Sequence, residues 1–275
     1  MNESISNELY VEIYKMLQNM ISHVSSAAGI DDENLEKYYV PEAVYFNQNY
    51  LRRLASSIQN SGMMHNSIKF NGENFEHIKN KLYDFNIEEC LKNYSDYMEL
   101  YNAFTNFGAM DKGMKNTKET NWERYSKGIF DGLVFLGREN GNKKIEELIK
   151  LGEHKEFSKK FIDSIEEIQS RIHGLGFALT CDWLKECGCT WLAKPDIHIN
   201  EVYKSIVNKE KFKDYDVMEF MFNWAEVLKN EKVDEQISAY KLDKIIWLNC
   251  TGNFYLNDTK IGRDMIINGI SNILK

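Results

Sequence analysis

The sequence predicts an all-α protein made of two closely packed helical lobes. Apolar residues recur at helical spacing along most of the chain, segments of alternating polarity are scarce, and only two prolines interrupt 275 residues. The composition, 43% hydrophobic and 28% charged, is typical of a globular protein. No apolar run reaches membrane-spanning length, so we expect no membrane association.

Three segments show the apolar stripe of an amphipathic helix most clearly, at residues 10–24, 157–172 and 217–228. The stripe of the second comprises Phe157, Phe161, Ile165, Ile168 and Ile172. A late, nearly all-apolar segment at 242–248 predicts a helix suited to packing between the lobes. Residues 67–70 are the one short strand candidate, which would form at most part of a small hairpin.

Helix ends are indicated by glycine, asparagine or proline between the apolar stripes. The predicted breaks are 28–34, 60–74, 107–118, 139–142 and 187–195. None of them is long enough for a flexible interdomain linker, so residues 1–275 are predicted to form one unit whose lobe boundaries stay open.

Charge and cysteine content narrow the functional classes. The formal net charge is −8, from 34 basic and 42 acidic side chains, which argues against a surface that binds polyanions everywhere. The five cysteines are an odd number, and the first residues, MNESISNELY, lack the basic start and apolar core of a signal peptide. We therefore expect reduced thiols in a cytoplasmic protein.

The chemistry-bearing segment is 170–203, SRIHGLGFALTCDWLKECGCTWLAKPDIHINEVY. Its first part predicts a helix-hairpin-helix over about 157–187, with Gly174-Leu175-Gly176 as the turn. Paired glycines allow positive φ and leave the amides at the start of the second helix open, where they can hold a phosphate. Taken alone, the turn favours an ordinary helix connection over a phosphate site.

The second part of the segment is Lys194-Pro195-Asp196-Ile197-His198. An X-Pro step is extended, so it delivers Asp196 to the start of another helix. Taken alone, Asp196 would be interpreted as an ordinary N-cap.

Together, Ile172-His173-Gly174-Leu175-Gly176 and Pro195-Asp196-Ile197-His198-Ile199 resemble the helix-hairpin-helix DNA glycosylase superfamily. That family carries an L-P-G-V-G-type hairpin, a helix, and then V-D-T-H-V. The match covers only the hairpin and the aspartate segment, 194–203, of 275 residues. His173 stands where the family has proline, and Ala178 stands where bifunctional members have a nucleophilic lysine. The cysteine pattern of iron–sulfur members is also missing after Asp196.

The resemblance implies a monofunctional DNA glycosylase of base excision repair, without a cofactor and expected to be monomeric. Its substrate would be double-stranded DNA with a modified base, which must leave the stack before the N-glycosidic bond can be hydrolysed. Asp196 would be the catalytic carboxylate, stabilising positive charge on the sugar and orienting or deprotonating water. Gly174, Leu175 and Gly176 would bind the DNA backbone through their amides, with Lys194 as a further phosphate contact.

Other residues carry weaker expectations. His198 is assigned a packing or orienting role, with direct catalysis as the alternative. Trp122 and Tyr125 are interleaved with basic residues between 112 and 127, so base or strand contacts are one interpretation and a solvated loop the other. A second basic run spans 204–213 and could flank the same groove.

Several alternatives stay open. The chain could be a non-catalytic helix-hairpin-helix DNA-binding protein, or an unrelated helical protein in which both motifs are connections. The sequence does not choose among oxidised purines, alkylated bases and modified foreign bases, nor between repair and defence against foreign DNA. The cysteine spacing does not match a structural zinc site, so no metal is expected.

Overall fold

The computed structural model describes residues 5–45, 49–105, 119–151, 157–251 and 262–275. All regular structure in these ranges is helical, which confirms the all-α class for the described part of the chain. None of the described helices combines the length and apolar composition that a bilayer crossing requires.

Sixteen α-helices and one 3-10 helix, Ser61–Met63, are described. In chain order the α-helices are α1 (Asn7–Ala27), α2 (Asp32–Lys37), α3 (Glu42–Tyr45), α4 (Tyr50–Ile58), α5 (His65–Ile68), α6 (Gly72–Lys81), α7 (Ile87–Asn93), α8 (Tyr97–Thr105), α9 (Asn121–Arg138), α10 (Gly141–Leu151), α11 (Lys159–Arg171), α12 (Phe177–Glu186), α13 (Ile197–Val207), α14 (Asp214–Asn230), α15 (Ala239–Thr251) and α16 (Arg263–Ile273).

Two compact units form from alternating parts of the chain. The first unit comprises the described residues of Met1–Pro41, Gly152–Phe157 and Cys189–Lys275, and the second comprises those of Glu42–Leu151 and Ser158–Gly188. The hairpin therefore belongs to the second unit and the aspartate segment to the first.

The first unit packs α1, α13, α14, α15 and α16 around an apolar core. The predicted stripe of α1 is buried, and its backbone accepts two side-chain hydrogen bonds: Trp224 Nε1 donates to the Tyr10 carbonyl at 3.1 Å, and Asn249 Nδ2 donates to the Leu17 carbonyl at 3.0 Å. The apolar residues of α15 are buried as well, so the segment at 242–248 packs within this unit.

The second unit is built around α9. Glycine at 132 lets α4 approach closely, because an added Cβ would lie 2.0 Å from Leu54 Cδ2. On its other side α4 meets α12 through a buried ion pair, with Arg53 Nη2 2.8 Å from Asp182 Oδ2. Ser57 donates to the same carboxylate oxygen at 2.9 Å. The second helix of the hairpin is thus fixed to α4 by charge.

The structure corrects two local predictions. Residues 67–70 form no strand, since α5 runs to Ile68 and Lys69 is left-handed with φ 49°. Phe157 precedes α11 instead of joining its stripe, and its ring packs against Trp191 and Phe222 of the first unit. The remaining predicted breaks coincide with helix ends, except 107–118, which lies outside the described residues.

Candidate functional site

The hairpin connects α11 to α12 by a turn that requires one of its glycines. Leu175 N–H donates to the Ile172 carbonyl at 3.3 Å, and Gly174 has φ 83°, a conformation that side-chain-bearing residues rarely adopt. Gly176 has φ −83°, and an added Cβ would meet nothing within 4 Å. Gly174 is therefore needed for the backbone path, whereas Gly176 leaves open space at the start of α12.

The first amides of α12 are open to an anion. Gly176 is the N-cap and supplies no capping side chain. The N–H groups of Phe177, Ala178 and Leu179 have no acceptor in the described part of the chain. Leu175 differs, because the residue is 6% exposed and its N–H is engaged within the turn. The open donors next to the turn are therefore the first amides of α12.

Two residues of α9 hold the peptide groups of His173. The His173 N–H donates to Asp131 Oδ2 at 2.9 Å. An ideal Cβ on Gly128 would lie 2.6 Å from the His173 carbonyl oxygen, so only glycine allows this approach. Burial raises the pKa of Asp131, an effect that the His173 hydrogen bond offsets only in part. Sequence reasoning missed both residues; a glycine inside a helical stripe was the available signal.

An acidic residue shares the hairpin's surroundings. Glu119 contacts the ammonium group of Lys127, lies 3.8 Å from Arg124 Nε and lies 3.5 Å from His173 Nε2. Burial raises the pKa of Glu119, but hydrogen bonds and charges from Lys127 and His173 outweigh it and lower the pKa overall. The local cations are thus already paired with carboxylates.

Four described cations of the two predicted basic runs lie near carboxylates. Lys112, Lys115 and Lys118 lie outside the described residues. In the second run Lys204 is 3.0 Å from Glu201 and Lys209 is 3.6 Å from Asp216. Lys204 and Lys209 of the second run, like Arg124 and Lys127 of the first, therefore lie near carboxylates.

Trp122 and Tyr125 are core residues, which corrects their predicted base or strand contacts. Trp122 is 2% exposed and Tyr125 is 0% exposed. Both rings pack against Phe104, and the Tyr125 hydroxyl donates to the Ala55 carbonyl at 3.1 Å. The aromatic residues belong to the buried face of α9 and the basic residues to its solvent-facing side. An amphipathic helix therefore interleaves the two types in sequence without forming a binding surface.

The aspartate segment reaches α13 as a buried, extended stretch followed by a tight turn. Asp196 N–H donates to the Lys194 carbonyl at 2.7 Å around Pro195. Asp196 is then the N-cap of α13, and its Oδ1 accepts the N–H groups of His198 at 2.9 Å and Ile199 at 3.2 Å. The prediction that the X-Pro step delivers Asp196 to a helix start is confirmed.

The carboxylate of Asp196 is oriented by these two amides. Oδ1 is engaged with α13, and Oδ2 makes no hydrogen bond with any described residue. Asp196 is also half-buried. One oxygen thus fixes the group, while the other is engaged by no described residue.

A buried carboxylate on α15 holds the segment in front of Asp196. Lys194, itself half-buried, donates its backbone N–H to Asp243 Oδ2, and Asp243 is 2% exposed. One turn earlier on α15, Tyr240 N–H donates to the Thr190 carbonyl at 2.9 Å. The first two turns of α15 therefore hold the segment at two points. The sequence interpretation treated α15 as packing only and missed Asp243.

Groups from the ends of three helices surround Asp196. Burial, and to a smaller extent the charge of Asp196, raises the pKa of the Cys250 thiol to about 12, with Arg263 acting in the opposite direction. His198 is half-buried, and its Nδ1 is buried without a hydrogen-bond partner. It is the backbone N–H of His198 that orients Asp196.

No group of three histidine, cysteine or acidic side chains within the described ranges is placed to hold a metal ion. Each of the five cysteines is a buried free thiol. No protein-family model, curated protein or solved structure matches the chain. Function is therefore inferred from the residues themselves.

Proposed function

We propose that this protein is a monofunctional DNA glycosylase in which Asp196 is the catalytic carboxylate and the hairpin binds the DNA backbone. The observation that carries the proposal is the geometry of Asp196: one carboxylate oxygen is held by two backbone amides and the other is engaged by no described residue. An oriented carboxylate at a helix start is suited to stabilising developing positive charge, because its position costs no reorganisation during the reaction.

The reaction begins when the target nucleotide leaves the base stack. The bond between C1′ and the base nitrogen breaks, its electron pair leaves with the base, and positive charge develops on the sugar. Asp196 Oδ2 stabilises that charge and accepts a hydrogen bond from the attacking water. The water oxygen bonds to C1′, one of its protons ends on the released base, and the products are a free base and an abasic site.

The hairpin contributes by binding a phosphate without reading sequence. Supporting this role are the positive φ of Gly174 and the open amides of Phe177 and Ala178 at the start of α12. Ala178 occupies the second position of this helix and offers no amine at the place where bifunctional members carry their lysine, so the proposed nucleophile is water.

The decisive experiment is the Asp196→Asn variant. Asparagine is a good N-cap and its Oδ1 can still accept the His198 N–H, so α13 is preserved while the negative charge is lost. We expect base release in single-turnover assays to fall about 100-fold or more, while binding to a duplex that carries a tetrahydrofuran abasic analogue stays within about threefold. Substrates would be duplexes with one oxidised purine, one alkylated purine or one modified pyrimidine.

Two further outcomes separate the proposal from its rivals. Borohydride should trap no covalent adduct; an adduct would mean that a lysine acts as nucleophile. Unchanged base release by Asp196→Asn would remove Asp196 from the chemistry.

A non-catalytic DNA-binding protein is the second candidate, favoured by the fact that capping α13 is by itself a sufficient role for Asp196. It predicts DNA binding that depends on Gly174 and no base release from any duplex. Absence of DNA affinity even at low salt would contradict both candidates.

A further inference from the structure

The structure assigns Asp131 as the positioning residue of the DNA-binding hairpin: by accepting the His173 N–H, we infer, it sets the hairpin conformation that binds a DNA phosphate. This inference depends on the proposed function, since it concerns how the same hairpin binds its ligand. Sequence pattern alone places Asp131 on the polar side of a long helix, with nothing to distinguish it from a solvated acid.

The geometry supporting this role involves both peptide groups of His173. Asp131 Oδ2 lies 2.9 Å from the His173 nitrogen, and the carbonyl oxygen of the same residue rests against Gly128. Positions 128 and 131 are three apart on α9 and therefore share a face. His173 thus donates its N–H to one face of α9 and places its carbonyl against the same face.

The position of His173 in the turn explains why the hydrogen bond to Asp131 matters. It precedes Gly174, whose φ is 83°, so it occupies the place at which proline would preset the turn. Histidine leaves φ free and adds an N–H, which donates to Asp131 although His173 itself is exposed. This hydrogen bond replaces the restraint that a proline ring would give.

A pair of substitutions at 131 separates positioning from charge. Asp131→Ala and Asp131→Asn remove the same negative charge, which by itself would tighten binding to a polyanion. Only asparagine can still accept the His173 N–H. We expect Asp131→Ala to bind a fluorescein-labelled duplex with a tetrahydrofuran abasic analogue about tenfold more weakly at fixed salt, and Asp131→Asn to bind at least as tightly as the wild type.

A compensating substitution makes the test sharper. His173→Pro removes the N–H and presets φ, and Ile172 already has the extended conformation, φ −124° and ψ 113°, that a residue before proline requires. In the wild-type background it should weaken binding, because Asp131 loses its partner. In the Asp131→Ala background it should restore affinity to within about threefold of wild type. A purely structural loss at Asp131 would not be rescued in this way.

Amide hydrogen exchange of His173, measured without DNA, reports the hydrogen bond independently of function. It should accelerate in Asp131→Ala and not in Asp131→Asn. If exchange accelerates but Asp131→Ala binds DNA as tightly as wild type, the positioning role is overturned while the proposed function stands. If the wild type binds no DNA at any salt concentration, the proposed function fails. Unaccelerated exchange in Asp131→Ala would contradict the hydrogen bond itself.

Discussion

The hairpin and the aspartate segment are each held by a carboxylate from another helix, but the helices that follow them begin differently. Each is held by a carboxylate on another helix of its own unit, Asp131 for the N–H of His173 and Asp243 for the N–H of Lys194. The helices that follow differ, since α12 has no side-chain cap and α13 is capped by Asp196. At an uncapped helix N-terminus the first backbone N–H groups can bind an anion. At a capped N-terminus the same groups donate to the capping carboxylate and orient it. The first arrangement suits binding and the second suits chemistry.

The two helices are also held differently. The ion pair between Arg53 and Asp182 fixes α12 to α4, and the side chains of both residues are almost buried. The helix α13 is fixed by apolar packing, with Ile199 and Val202 in the core of the first unit. Disturbing charge should therefore affect the hairpin side of the molecule more than the aspartate side.

The largest expected effect tests this difference. Arg53→Leu leaves the Asp182 carboxylate buried without its cation, which should lower the free energy of unfolding by about 3 kcal/mol or more in urea titrations. Amide exchange should increase in α12 more than in α13. Combining Arg53→Leu with Asp182→Asn should recover part of the loss. Equal acceleration in both helices would contradict the difference in how they are held.

Asp243 tests the anchor of the aspartate segment. Asp243→Ala leaves the Lys194 N–H buried without this acceptor, at a cost of about 1–3 kcal/mol in stability. Under the proposed function, base release should slow while DNA affinity changes little, and Asp243→Asn should retain most of the rate because it can accept the same bond. Asn249→Ala is the matched control, a buried polar residue on the same helix that holds α1 instead. Equal slowing in the control would mean that the effect is general destabilisation.

A smaller effect is expected from the hairpin glycines. Gly174→Ala forces alanine into φ 83° and should cost about 1–2 kcal/mol, with weaker DNA binding. Gly176→Ala meets open space at φ −83°, so it should be nearly neutral in stability. Urea titration and fluorescence anisotropy of both variants would measure this, and identical behaviour would show that the positive φ does not matter.

The smallest effect concerns pH. The pKa of Glu119 is lowered in the folded state, so its stabilisation is present above its ordinary pKa of 4.5 and is lost as the pH falls through the lowered value. Glu119→Gln should therefore flatten the acid limb of the stability profile by less than about 1 kcal/mol, because the carboxylate is partly exposed. A steeper acid limb in the variant would contradict the assigned direction.

The sequence predicted the features that depend on neighbouring residues and missed those that depend on residues far apart in the chain. Helices α1, α11 and α14 follow from apolar stripes, since burial of one face dominates their stability. The N-cap role of Asp196 follows from the X-Pro step, which is also local. Trp122 and Tyr125 were predicted to contact DNA because the sequence shows that a helix has an apolar and a polar face but not which other elements cover the apolar face.

By itself the sequence determined the helical class, the glycine turn at 174 and the arrival of Asp196 at a helix start, because backbone preferences act over a few residues. Only the tertiary structure decided that Asp131 and Asp243 would meet N–H groups 42 and 49 positions away in the chain. The donor that an acceptor meets is set by tertiary packing, and such a long-range pair produces no periodic pattern in the sequence.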